Sequence, residues 1–216
     1  MSASNVRRLR DISPLPAPAK IQAPAVNQRL LTADTPFPGD VAAWAVGCHG
    51  GAGTSSLAAS LDHLGDAGQI IPAANTPAMV VLVAATHREG LEAAHRAILQ
   101  FTSGNAGGAT LLGLALVDTA AAVKLPRKLA RDLKAREGVV TAAAPQVWRV
   151  PHIPAWSAML TDDLPSWDAQ PDNPDEQITD KLRAKASAQD HTPLSVVDVG
   201  RDILDQAQTI YQQLTK

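Results

Sequence analysis

The chain has 216 residues, a formal net charge of −2, 45% apolar residues and only 3% aromatics. That length supports one domain with a sizeable core and some material left for tails, while the near-balanced charge argues neither for nor against nucleic acid. A single cysteine, Cys48, excludes an internal disulfide, which suits a reducing cytosol. No run approaches the roughly 18 apolar residues of a membrane span. The arginines at 7, 8 and 10 are followed by prolines, not by an apolar signal region, so no secretion signal is expected. These features lead us to expect a soluble, cytoplasmic protein.

Residues 1–38 carry prolines at 14, 16, 18, 24, 36 and 38 and no sustained periodicity, which predicts an extended or disordered arm. Its basic residues outnumber its acidic ones, as suits a solvated leader or a tether onto a partner or nucleic acid. Asp40–Val46 is predicted as the first strand, flanked by Gly39 and Gly47. A helix from Ser55 or Ser56 to about His63 follows, with Leu57, Leu61 and Leu64 on one face. Residues 65–78 read as a Gly/Pro/Asn connection. Met79–Thr86 is a continuous apolar run rich in β-branched residues, the pattern of a central parallel strand covered on both faces.

Glu89–Phe101 is predicted as helix, with Leu91, Ala94, Ile98 and Phe101 on one side, and 103–110 as a flexible loop. Leu111–Val117 is a third buried strand, ending at Asp118. Leu125, Leu129 and Leu133 give an amphipathic helix over Leu125–Arg136, closed by Gly138. Gln146–Val150 is a fourth strand, running into Pro151-His-Ile-Pro-Ala-Trp156. Residues 161–180 hold seven Asp/Glu and no Lys or Arg and read as an acidic linker or lid. The closing helix runs from about Val196 or Asp198 to Leu214, with Ser195-x-x-Asp198 resembling a capping box. Ile203, Ala207, Ile210 and Leu214 form its apolar side. The expected organisation is an arm over 1–38, an α/β domain over 39–160, a linker over 161–193 and a C-terminal helix over 194–216. Alternating strands and helices specify a mainly parallel sheet with flanking helices.

The stretch Gly47-Cys-His-Gly-Gly-Ala-Gly-Thr-Ser-Ser-Leu57 joins the first strand to the first helix. A glycine-rich turn in that setting can cradle an anion with backbone N–H groups. The amides of Gly50, Gly51, Gly53 and Thr54 are placed to surround a phosphate, and the Ser55 hydroxyl to hold Mg²⁺. The alternative is a glycine turn kept for strand–helix packing. The histidines at 49, 87, 95 and 152 show no metal-ligand spacing, and the nucleophile elbow G-x-S-x-G is absent. Lys124, Arg127, Lys128, Arg131, Lys134 and Arg136 concentrate positive charge on one predicted helix. That face reads as solvated, or else as a surface for nucleic acid, an acidic partner or the chain's own acidic 161–180 segment. Trp148 and Trp156 read as core packing first and as a partner or base-stacking surface second.

His49-Gly-Gly-Ala-Gly-Thr-Ser-Ser56 resembles the deviant Walker A loop of ParA/MinD-type partition ATPases, K-G-G-x-G-K-S/T-S/T. Val80–Thr86 with the following Glu-Gly-Leu-Glu-Ala-Ala segment, Leu111–Val117, and Val147–Pro154 look like later strands of that family, the last flanking the base. The loop is also similar to an HGGAG loop in a group of actinobacterial proteins often tied to mobile elements. The resemblance implies a reduced P-loop NTPase-like fold that binds ATP or ADP with Mg²⁺, or has lost nucleotide altogether. It places His49, Gly50, Gly51, Gly53, Thr54, Ser55 and Ser56 at the phosphates, and puts His49 where the family's signature lysine reaches across a dimer. Ser55 matches the Mg²⁺ ligand, while Asp118 is either a Walker B aspartate or an ordinary strand-end Asp.

Both lysines of the pattern are missing, since His49 and Thr54 stand in their places. The family's aspartate-bearing switch strand has no counterpart in the short 65–78 interval. No catalytic residue is therefore assigned. The expectation is a catalytically impaired, nucleotide- or phosphate-binding accessory module of a plasmid, conjugative or partition system. It would act with a protein partner or as a homodimer, with nucleic acid a weaker option. A weak ATPase activated by a partner and a non-nucleotide interaction domain are the alternatives.

Overall fold

The structure, a computed structural model, describes residues 22–73, 78–120, 125–169 and 187–214. In chain order the elements are β1 (Leu31–Thr32), β2 (Ala43–Gly47), α1 (Thr54–Ala59), β3 (Leu64–Asp66), β4 (Ile70–Ile71), β5 (Met79–Ala85), α2 (Arg88–Thr102), β6 (Thr110–Val117), α3 (Arg127–Ala143), β7 (Val147–Val150) and α4 (Leu194–Leu214). Short 3-10 turns lie at Val26–Gln28, Pro154–Ala158 and Thr161–Asp163.

The main sheet has five strands in the order β3-β2-β5-β6-β7, every neighbouring pair parallel. Parallel strands need crossovers, and α1, α2 and α3 supply three of them. Numbered among themselves, the five strands run 2-1-3-4-5, a doubly wound order. The α/β class, the parallel sheet and the C-terminal helix are as the sequence predicts.

Alternation along the strands splits the core in two. Ala43, Ala45, Val81, Val83, Ala115, Trp148 and Val150 face α1 and α4. Val46, Val80, Leu82, Ala84, Leu114 and Leu116 face α2 and the C-terminal part of α3. β5 is buried along its whole length, as its unbroken apolar run requires.

Several boundaries differ from the sequence expectations for identifiable reasons. The first helix stops at Ala59, and the interval read as a connection holds β3 and β4. β3 pairs Leu64, Gly65 and Asp66 with Ala43, Trp44 and Ala45. A Cβ on Gly65 would lie 2.3 Å from the Trp44 ring, so the glycine that looked like a breaker permits that packing. Gly138 does not close α3, which runs on to Ala143. The modest cost of glycine in a helix interior is outweighed there by burial of Val140.

The arm is docked where it is described, while residues 1–21 lie outside the described residues. β1 pairs with β4, and the buried Gln100 side chain accepts from the Leu30 N–H and donates to the Leu30 and Asn105 carbonyls. The acidic segment begins inside the core: Trp167 is 1% exposed and Leu164 is buried, while 170–186 lie outside the described residues. Ser195 sits within α4, not at its cap, and the Val196 and Val197 amides bond to the Pro193 carbonyl.

Candidate functional site

In an open parallel sheet the crevice for ligands lies beyond the carboxyl ends of the strands, where successive crossovers diverge. Here the chain leaves β2 for β3 on one side and later returns to β5 on the other. The divergence falls at the carboxyl end of β2, where the Gly47–Gly53 loop begins.

Two backbone bonds anchor the loop: the Gly47 N–H donates to Gly68 O at 2.6 Å and the Cys48 N–H to Val83 O at 2.8 Å. Beyond them the chain turns through Gly51 at φ +74° and Gly53 at φ +87°, conformations that side-chain-bearing residues rarely adopt. A Cβ on Gly53 would also meet the Val117 side chain at 3.5 Å. Gly53 caps α1 with no side-chain bond, and the Leu57 N–H is the amide that first bonds back, to Gly53 O at 3.0 Å. The amides at the head of the helix are therefore not consumed by a side-chain cap.

Around this turn lies an open groove of about 290 Å³, lined by His49–Ser56 together with Gly68 and Gln69. A second hollow of about 180 Å³ adjoins it, walled by Leu57, Val117, Val150, Ile153 and Trp156. Gly53 and Ser56 line both. Trp156 is fixed at the hollow by its indole N–H, which donates to Ala188 O at 3.0 Å. Trp148, by contrast, is buried in the core.

The structure brings all seven predicted loop residues to the groove, although their side chains take different roles. Ser55 is exposed, Ser56 half-buried and Thr54 buried. The Thr54 hydroxyl turns back under the loop: it lies 2.5 Å from where a Gly47 Cβ would stand. His49 also turns inward. Its Nε2 accepts from the Ala85 N–H at 3.1 Å and its Nδ1 lies 2.8 Å from Gly50 O. An accepting Nε2 puts the ring proton on Nδ1, which donates to Gly50. His49 thus clamps the loop to the end of β5, and its ring meets that of His87 edge-on at 5.0 Å. A Cβ on Gly90 would lie 2.8 Å from His49 Nε2, so α2 closes over the clamp.

Asp118 is not part of the groove. Its carboxylate pairs with Arg149 at 2.5 Å, and Arg149 also pairs with Glu137. Among the described residues no group of three or more His, Cys, Asp or Glu is placed to hold a metal. Burial pushes the Cys48 thiol up to about 12, against smaller opposing effects of the Val83 backbone and Arg96, which removes it as a nucleophile. Of the predicted basic face, Arg127, Lys128, Arg131 and Lys134 are exposed on α3, whereas Lys124 lies outside the described residues. Arg136 leaves that face to pair with Glu92 of α2 at 2.9 Å. The His49 clamp and the Trp156 hollow were not predictable as such, because their partners are distant in sequence. Among the described residues no helix is long and apolar enough to cross a membrane.

Residues 41–166 match a family described as a family of unknown function (DUF6668), and the chain belongs to that family. The matched stretch contains β2, the glycine loop and the Trp156 hollow. No curated protein and no solved structure matches the chain.

Proposed function

We propose that this DUF6668 member binds the phosphates of a nucleotide, ATP or ADP with Mg²⁺, on the loop after β2. It then acts in the cytoplasm as a regulatory or accessory module with a protein partner, not as an efficient ATPase. One observation carries the reading: two cavities of different character meet at Gly53 and Ser56, at the divergence point of a parallel sheet. A polar glycine-walled groove suits a phosphate chain, and the adjoining apolar hollow against Trp156 suits a flat ring.

The missing chemistry sets the limit on catalysis. Among the described residues no Lys or Arg lines the groove, and charge-assisted bonds to an anion are worth roughly 1.5–3 kcal/mol each. Asp118 lies outside the groove and is engaged by Arg149, and among the described residues no carboxylate lines the groove to organise an attacking water. Binding would rest on backbone amides, on Mg²⁺ and on the Ser55 hydroxyl. A role in a plasmid, conjugative or partition system follows from the resemblance of the loop alone.

Calorimetric titration of ATP and ADP with Mg²⁺, on the wild type and on Thr54→Lys, tests this. Weak binding without turnover in the wild type is the expected result, with affinity raised about tenfold or more in the lysine variant. Absence of binding in both forms would leave an interaction domain that uses no nucleotide. Turnover by the wild type on adding a partner would identify a partner-activated ATPase.

A further inference from the structure

A cavity of about 330 Å³ opens between α2 and α3, beyond the carboxyl ends of β5 and β6. It shares no lining residue with the loop groove or the Trp156 hollow. One wall is aliphatic: Leu125, Leu129 and Leu133 of the α3 side, with Leu129 still 54% exposed. Such leucines at the mouth of a preformed cavity gain from a ligand that covers them.

The polar groups around that wall are mostly hydrogen-bond donors. Arg88 and Arg136 line the cavity and both pair with one oxygen of Glu92, at 3.3 and 2.9 Å. That carboxylate gathers them together yet engages one nitrogen of each, and a guanidinium offers five N–H groups. His87 accepts from the Gly90 N–H through Nδ1 at 3.1 Å, which leaves its Nε2 as a donor. The Thr86 hydroxyl is buried with no partner among the described residues. Against these stands Asp132, the one carboxylate in the wall among the described residues.

We propose that this cavity is a second ligand site, taking a small organic acid whose apolar body covers Leu125 and Leu129 and whose anionic group meets Arg88 and Arg136. Asp132 opposes such a ligand and tunes its affinity downward. A cationic ligand would be favoured by Asp132 and repelled by the two arginines.

The probe for the test is 8-anilinonaphthalene-1-sulfonate, an anion on an apolar aromatic body, titrated into the full chain and followed by backbone amide resonances. Saturable shifts centred on His87–Gly90 and Leu129–Arg136 are expected. Arg136→Gln and Leu129→Gln should each weaken binding about fivefold or more, and Asp132→Asn should tighten it about two- to fivefold. Leu129 is mostly exposed, so its variant keeps the fold, and unchanged far-UV circular dichroism verifies this. Shifts centred elsewhere, for example in the apolar hollow beside Trp44 and Tyr211, would overturn the proposal. So would the absence of saturable binding, or weaker binding in Asp132→Asn.

Discussion

Helices α3 and α4 carry similar apolar stripes in the sequence and meet different fates in the fold. α4 drives Val196, Val197, Val199, Ile203 and Ala207 into the sheet face it shares with α1. α3 is 17 residues long, and Val140 is its one buried residue. Only its C-terminal half settles against α2. The N-terminal half keeps Leu129 partly in solvent, as the segment just before the helix keeps Leu125, and a cavity is left under them. A stripe of leucines therefore predicts which face a helix turns inward, but not whether anything fills the space beneath it. In this chain one helix builds the core, and the other walls a site.

The contrast is most easily broken by truncating one residue from each stripe. Ile203 is fully buried, so Ile203→Ala should cost about 2–5 kcal/mol through lost transfer energy and the cavity left behind. Leu129→Ala removes a side chain that is mostly in water already and should cost less than about 1 kcal/mol. Urea unfolding of both variants, compared at equal m-value, checks the difference. Equal costs would show that α3 is packed as tightly as α4.

Glycines sharpen the same comparison with opposite signs. A Cβ on Gly200 of α4 would lie 2.6 Å from Leu61 Cδ2 and 2.9 Å from the Trp167 ring, whereas one on Gly138 of α3 meets nothing within 4 Å. Gly200→Ala should destabilise by about 1–3 kcal/mol through overpacking. Gly138→Ala should stabilise by about 0.5–1 kcal/mol, because it restricts the unfolded chain and improves helix propensity without a clash. Thermal melts that move in the same direction for both variants would contradict the packing difference.

The sequence was legible where one element sufficed to define itself. β5 and β6 announce themselves as unbroken apolar runs, and the Gly50–Gly53 cluster marks its own turn. β3 and β4 have three and two residues, too few for any periodicity, and exist because Ala43–Ala45 and the β1 strand pair with them. Trp167 was hidden in an acidic, proline-containing stretch whose composition suggested a solvated linker. The role of His49 depended on the Ala85 amide, 36 residues away in the chain. The α2–α3 cavity was least legible of all, since it arises from surfaces that fail to meet.

The smallest expected effect is a pH dependence on the tightly packed face. His63 sits edge-on to Trp167, with ring centroids 5.6 Å apart, and both its ring nitrogens are buried. Desolvation by burial pushes its pKa below the ordinary value of 6.5, and the Gly200 backbone and the carboxylates of Asp62 and Asp168 only partly oppose that. Folding thus favours the neutral ring, and below pH 6.5 the unfolded chain binds a proton that the folded chain resists. The associated stability is complete above about pH 6.5 and declines as the pH falls through that value toward the lowered native pKa. Other groups titrate in the same range, so the quantity to compare is the difference in melting temperature between pH 7.5 and pH 5.5. It should be larger in the wild type than in His63→Gln, whose side chain does not ionise. Identical differences in the two proteins would mean that the α1–α4 face admits enough water to hydrate a charged imidazole, and would place its packing nearer to that of α3.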